Sequence, residues 1–265
     1  MARIGLVLLV TAAAIAAGET PPMSQADIER FLRTARIVET KELAQGFPHS
    51  RRAVLDDGKM KHDAHIQTVN ITRAEFEGAP EKKINVRDWY RFNLAAYELD
   101  KILDLNMIPP TVERQVDGLP AAVTWWVDDV LMTELNRTRK SIQPPDPDAW
   151  DKQMHVVRVF DQLIFNTDRN LGNLLISKGW KLWMIDHTRA FRLQRTVANE
   201  NLVKCDRKLL LRLRKLNEGE LTRKLKPSLN AVEVDAMLAR RDAIVKHFDR
   251  LIAQQGEQAV LYEDD

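Results

Sequence analysis

The chain has 265 residues, 45% hydrophobic and 29% charged, with 40 Lys and Arg against 38 Asp and Glu and a net charge of +2. That size and mix suit one large domain or two lobes around a real core, and they exclude a disordered chain. The even charge balance argues against nucleic acid or an acidic polymer as partner, and the single cysteine, Cys205, excludes an internal disulfide.

Arg3 precedes an apolar run from Ile4 to Ala17 that ends in small residues, with Ala14-Ile15-Ala16 offering an A-x-A cleavage site. This is the pattern of a secretory signal peptide over residues 1–17, too short for a comfortable membrane span. It predicts an exported protein, periplasmic or extracellular, with no transmembrane span after leader removal. The alternative is an uncleaved membrane anchor. No Cys follows the run, which argues against a lipid anchor.

Ile28, Phe31, Leu32, Ala35 and Val38 repeat with a helical period over Gln25 to Thr40, and Ser24 is the expected N-cap. Gly46-Phe47-Pro48 then breaks the pattern, and an extended run from Arg51 to Leu55 follows. Asp57-Gly58 marks a hairpin turn, and Asp63 to Asn70 alternates as a strand. Asp88 to Leu103 reads as a helix with Trp89, Phe92, Ala96, Leu99 and Leu103 on one stripe, stopped by Pro109-Pro110. A second hairpin joins Thr111–Gln115 to Ala121–Val127 through Asp117-Gly118.

These elements predict a small sheet of about four strands with one inserted helix, ending near Asp128, and a Pro- and Asp-rich linker from Ser141 to Pro147. A helix from Ala149 to Phe165 and two short apolar strands come next, then helices over Lys208–Leu216, Glu220–Leu225 and Val232–Gln255. The layout is α+β, with a β-rich N-terminal lobe over residues 18–128 and a helical C-terminal lobe over residues 129–265.

The chemistry concentrates between the two lobes. Asp168 and Asn173 stand five apart before one apolar strand, and Asp186 closes a second, eighteen residues after Asp168. The strands Leu174–Ile176 and Leu182–Ile185, turning at Lys178-Gly179, would bring Asn173 and Asp186 to one end of a hairpin. An acid, an amide and a second acid at this spacing suit phosphoryl transfer: one group orients the attacking hydroxyl, and two hard oxygen ligands hold Mg²⁺ or Mn²⁺. The bland alternative is an Asp-Arg turn and a strand-capping acid. Other features carry less. His49, His62 and His65 read as exposed strand and loop histidines, and His187 as a neighbour of the metal acid. Of Trp125 and Trp126, one is expected in the core and one against the cleft between lobes. Nine Lys or Arg against three acids between Lys204 and Lys226 read as a solvated helix face.

The string Phe160-Asp161-Gln162-Leu163-Ile164-Phe165-Asn166-Thr167-Asp168-Arg169-Asn170-Leu171-Gly172-Asn173, with Ile185-Asp186-His187, resembles the catalytic segment of atypical kinase-like folds. These are the phosphatidylinositol kinases, the HipA-like kinases and the secretory-pathway kinases of the Golgi. A second block, from Ala95 through Val112, is similar to a helix and strand of the bacterial and secretory members. The resemblance implies a two-lobed, protein-kinase-like fold, here as a bacterial exported member. It implies Asp168 as the catalytic carboxylate that positions or deprotonates the acceptor, Asn173 and Asp186 as metal ligands, and ATP or another nucleoside triphosphate as donor. The acceptor would be an unidentified hydroxyl on a protein, lipid or small molecule.

The sequence departs from that pattern in both lobes: Asn170 replaces the His of Asp-Arg-His, Thr188 replaces the Gly after the metal Asp, and the larger departures fall in the N-terminal lobe. Gln67 stands where the phosphate-binding Lys is expected and Asn93 where its Glu partner is expected, a neutral exchange that a Gln67–Asn93 hydrogen bond could tie together. Arg51 and Arg52, with Lys59 and Lys61, are the substitute cations. Two functions follow: a phosphotransferase using such a cation, or a non-catalytic pseudokinase serving as a nucleotide-binding or scaffold module.

Overall fold

Ser24 opens the first helix, α1 (Gln25–Thr34), its Oγ accepting the Asp27 N–H at 3.2 Å. The computed structural model describes residues 23–43, 50–73, 86–166 and 169–263, so the expected leader lies outside the described residues. The helix ends six residues before Thr40. Val38, at the end of the apolar stripe, is 48% exposed, and the chain has already become strand β1 (Arg36–Glu42). Pairing with β2 (Ser50–Asp56) satisfies that backbone and overrides the helical spacing.

Strands β2 and β3 (Lys61–Gln67) form the hairpin signalled by Asp57-Gly58, with Arg52 opposite His65 and Ser50 opposite Gln67. A small hairpin of β4 (Asn70–Arg73) and β5 (Val86–Trp89) follows, so Asp88 and Trp89 belong to a strand. Helix α2 (Arg91–Leu103) therefore starts three residues later than its apolar stripe suggests. It stops at Asp104, in the left-handed region at φ 50°, well before the proline pair.

Strands β6 (Thr111–Val116) and β7 (Leu119–Trp125) join through Asp117-Gly118, both at positive φ as a tight hairpin turn demands. The result is a five-stranded antiparallel sheet in the order β1-β2-β3-β7-β6, one strand more than expected because β1 carries a helical spacing in sequence. Phe31 and Leu32 of α1 cover one of its faces, packing with Leu55, Ala64, Ile66, Val112 and Val123.

Strand β8 (Val130–Thr133) and helix α3 (Glu134–Arg139) carry too short an apolar pattern to be seen in the sequence. Helix α4 (Pro147–Ile164) has Asp146 as N-cap and proline in its first turn, and ends at Phe165 with φ 55°. Strands β9 (Leu174–Ser177) and β10 (Leu182–Met184) then join β8 in a three-stranded sheet, order β10-β9-β8. The remainder is β11 (Cys205–Asp206), α5 (Arg207–Lys215), α6 (Glu218–Leu225), α7 (Ala231–Gln255), α8 (Glu257–Val260) and β12 (Leu261–Tyr262).

A second, larger core unites α2, α4, the β9–β10 hairpin and the C-terminal helices through Phe92, Leu99, Phe160, Leu163, Ile176, Met184, Met237 and Phe248. Helix α2 thus packs with the C-terminal elements although its sequence position is among the N-terminal strands. No helix among the described residues is long and apolar enough to cross a membrane.

Candidate active site

Leu174, Ile176, Leu182 and Met184 are all fully buried, and this apolar alternation fixes the register of the β9–β10 hairpin. Leu174 lies opposite Met184, so Asn173 and Ile185 come next at the open end, and Asp186 follows one residue further on. The Ile185 N–H donates to the Asn173 carbonyl at 3.0 Å, and Asn173 Nδ2 donates to Asp186 Oδ2 at 3.2 Å. Asn173 closes a 3-10 turn, Leu171–Asn173, started by Asn170, whose Oδ1 accepts the Gly172 N–H. Asp186 leaves the strand at φ 57°, a conformation unfavourable for any residue but Gly, Asn or Asp.

Three neighbours hold that turn. Arg169 forms a fork on Asp161, with Nε to Oδ2 at 3.0 Å and Nη2 to Oδ1 at 2.6 Å, and its Nη1 donates to the Ile185 carbonyl at 2.9 Å. Asn93 Oδ1 accepts the His187 N–H at 2.7 Å. Thr188 Oγ1 donates to Asp186 Oδ1 at 3.1 Å, and its carbonyl accepts the Trp89 N–H at 2.8 Å. The His187 ring is buried edge-on to Phe160, and burial holds its pKa well below the usual histidine range. Asp168, the expected catalytic residue, lies outside the described residues, as does His49. Asn166 and Arg169, on either side of Asp168, both bind Asp161.

In the N-terminal lobe the expected partners are rearranged. Gln67 is buried, and its Oε1 accepts the Val69 N–H at 3.3 Å. With Asn93 committed to His187, the hydrogen bond expected between Gln67 and Asn93 is not formed. Asn93 faces the segment after Asp186 because α2 packs with the C-terminal core. Arg51 donates to Asp117 at 2.8 Å, while Arg52 pairs with Asp63 and lies 4.3 Å over the Trp126 ring. Lys61 pairs with Asp56.

His65 is not the exposed strand histidine its sequence context suggests. It is part-buried, with Nε2 at 2.5 Å from Ser50 Oγ. Burial lowers its pKa, and the Asp186 carboxylate acts in the opposite sense. Its position in the middle of β3 is the one signal that could have marked it. His62 lies on the opposite face, stacked on Trp125 and bonded to Asp128 at 2.6 Å. Trp125 lines a cavity of about 730 Å³ with Trp183, Lys181 and Ser177, at the turn end of the β9–β10 hairpin and away from Asp186. In the basic run from Lys204, Arg207, Arg212 and Arg214 pair with acids distant in sequence, Glu257, Asp104 and Asp249.

The Asp186 carboxylate is half-buried and receives only neutral donors; among the described residues no Lys or Arg pairs with it. A partly desolvated acid without a counter-charge, beside an amide, fits a hard divalent cation. Among the described residues no group of three His, Cys, Asp or Glu side chains could hold a metal by itself, so further oxygen ligands would have to come from elsewhere.

No protein-family model and no curated protein sequence matches this chain. Solved structures do. The chain is similar to the structure of hydra Fam20 with sugar, at TM-score 0.69 and 14% identity over 91% of this chain and 92% of that one. It is similar to the Golgi casein kinase with Mn/ADP bound, at TM-score 0.63 and 15% identity over 91% of this chain and 80% of that one. It is also similar to the Helicobacter pylori proinflammatory kinase CtkA, at TM-score 0.54 and 11% identity over 84% of this chain and 98% of that one. The protein therefore has an α+β, atypical kinase-like fold.

Proposed function

We propose that this protein binds a nucleoside triphosphate with a divalent metal and transfers its terminal phosphoryl group to a hydroxyl acceptor. The observation that carries the reading is the meeting of Asn173 with the Asp186 carboxylate, which has no Lys or Arg partner among the described residues, at the end of a hairpin in a kinase-like fold. In this reading residues 18–128 and 129–265 are the two lobes, and the protein is exported after loss of residues 1–17.

Asp186 and Asn173 would hold Mg²⁺ or Mn²⁺, which when bound screens the charge on the phosphate oxygens. Asp168 accepts the proton of the attacking hydroxyl. Arg169 does not react: it fixes the Ile185 carbonyl while Asn93 fixes the His187 N–H, so Asp186 is held from both sides. The acceptor is a hydroxyl of a protein, lipid or small molecule.

The test is a thermal shift of the full chain with ATP and Mn²⁺. At a hundredfold excess over Kd a single site gives about 2.7 kcal/mol, a rise on the order of 5 °C. Asp186→Ala should abolish it; an unchanged shift in that variant would refute the site.

A pseudokinase that binds nucleotide without transfer is the second reading. It is favoured by Gln67 being turned onto Val69 and by Arg51 and Arg52 being spent on carboxylates. Labelled ATP with Mn²⁺ and generic acceptors separates the two, since retained binding with no transfer and no autophosphorylation selects the pseudokinase.

A further inference from the structure

Strand β3 lies at the centre of the five-stranded sheet, between β2 and β7. Ala64 and Ile66 point into the core beneath α1, so Asp63, His65 and Gln67 occupy the other face. The end of that face is tied to the Asp186 segment: Gln67 binds the Val69 N–H, the Val69 carbonyl accepts the Tyr90 N–H at 2.8 Å, and the adjacent Trp89 N–H donates at 2.8 Å to the carbonyl of Thr188, two residues after Asp186. The three side chains differ in what they have left to offer. Asp63 is taken by Arg52, and the Gln67 oxygen is taken by the Val69 N–H. His65 uses Nε2 on Ser50, and among the described residues its Nδ1 has no hydrogen-bond partner.

The Ser50 hydroxyl can donate to or accept from Nε2; with serine as the donor, the ring proton sits on Nδ1 and the neutral imidazole becomes a directed donor. Such a donor on a strand face tied to the segment of a metal-binding carboxylate is suited to an oxygen that carries negative charge and is not itself a protein group. We propose that His65 Nδ1–H donates a hydrogen bond to a phosphate oxygen of the bound nucleotide, with Ser50 fixing the ring for that purpose.

This inference rests on the nucleotide-binding reading above and assigns the phosphate contact to a residue other than Gln67, Arg51 or Arg52. It also means that the sheet contributes a neutral donor. A hydrogen bond from a neutral donor to an anionic oxygen is charge-assisted, roughly twice as strong as one between two neutral groups.

The experiment compares Kd for ATP and for adenosine, both with Mn²⁺, in the full chain and in His65→Ala, His65→Gln and His65→Lys. Losing one hydrogen bond to a charged oxygen should weaken ATP binding by at least about tenfold while leaving adenosine unaffected. His65→Lys should bind ATP at least as well as wild type, and His65→Gln should fall between wild type and alanine. Unchanged ATP affinity in a His65→Ala protein with wild-type circular dichroism would overturn the proposal. So would an equal loss for ATP and adenosine, which assigns His65 a structural role through Ser50. Loss of Mn²⁺ binding in the absence of nucleotide would overturn it in favour of a metal ligand. If the wild-type chain binds no ATP at all, the parent reading fails as well, and that result is distinct from the other three.

Discussion

Asp186 is held in the left-handed backbone region by four contacts: Asn173 on its carboxylate, Thr188 on the other oxygen, Arg169 on the preceding carbonyl and Asn93 on the following N–H. Arg169 and Asp161 form the one fully charged contact in that frame, and each side chain is 10% exposed. Removing one member of a buried pair leaves the other charge unpaired, at a cost of roughly 3–5 kcal/mol. Arg169→Ala should therefore lower unfolding free energy by that amount in urea titrations and reduce the Mn²⁺–ATP thermal shift. Replacing Asp161 and Arg169 together by apolar residues of similar volume should cost less. A larger loss in the double variant would show that the pair matters chiefly as a charged unit.

The β9–β10 hairpin is the element that converts sequence spacing into a site. Its inward side chains Leu174, Ile176, Leu182 and Met184 are shared with α4 and the C-terminal helices in one core, while its end residues remain polar. Ile176, in the middle strand of the β10-β9-β8 sheet, anchors this register. Ile176→Ala should destabilise the protein by about 2–5 kcal/mol through lost burial and a residual cavity. If the hairpin positions the site, nucleotide affinity measured well below the melting temperature should fall in the same variant. Strong destabilisation with unchanged affinity would mean that the end residues are held by Arg169 and Asn93 alone. This hairpin is legible in the sequence because both strands alternate and Lys178-Gly179 marks the turn. Strand β1 is not, because its Val38 continues a helical spacing by chance and only pairing of its neighbours with β2 makes it a strand.

Across the whole molecule, stability depends on polar groups buried between elements distant in sequence. Asp100 of α2 is 1% exposed, and its Oδ1 accepts the Met107 N–H at 2.9 Å. Burial raises its carboxyl from the ordinary 3.8 to about 7, against the pull of the Met107 and Ile108 N–H groups and of Lys181. Between those values the folded state binds more protons than the unfolded one, so this group makes stability fall as pH rises through that window. Asp100→Asn keeps an acceptor for Met107 and removes the charge. It should flatten the pH dependence, leaving the variant roughly 1–3 kcal/mol more stable than wild type at pH 8 and gaining little at pH 4. Urea unfolding at both pH values checks this; a variant with the wild-type slope would assign the pH dependence elsewhere. Arg240 acts at the same scale, fully buried in α7 and donating to the carbonyls of Leu163, Arg192 and Gln194.

The kinase-like fold and the Asn173–Asp186 meeting were determined by local information: turn signals, alternation, and two polar residues flanking two apolar strands. Helix α7 and the hairpins at Asp57-Gly58 and Asp117-Gly118 belong to the same class. What only the tertiary structure decided is which polar atoms are spent and which remain. Gln67, Arg51 and Arg52 look free in sequence and are committed to Val69, Asp117 and Asp63, partners chosen by strand register and hairpin geometry. His65 looks exposed in sequence and is part-buried, on the face of β3 opposite α1, whose end is tied to the Asp186 segment more than a hundred residues further along the chain. Burial and pairing are properties of the neighbours a residue acquires on folding, and no spacing in the chain records them.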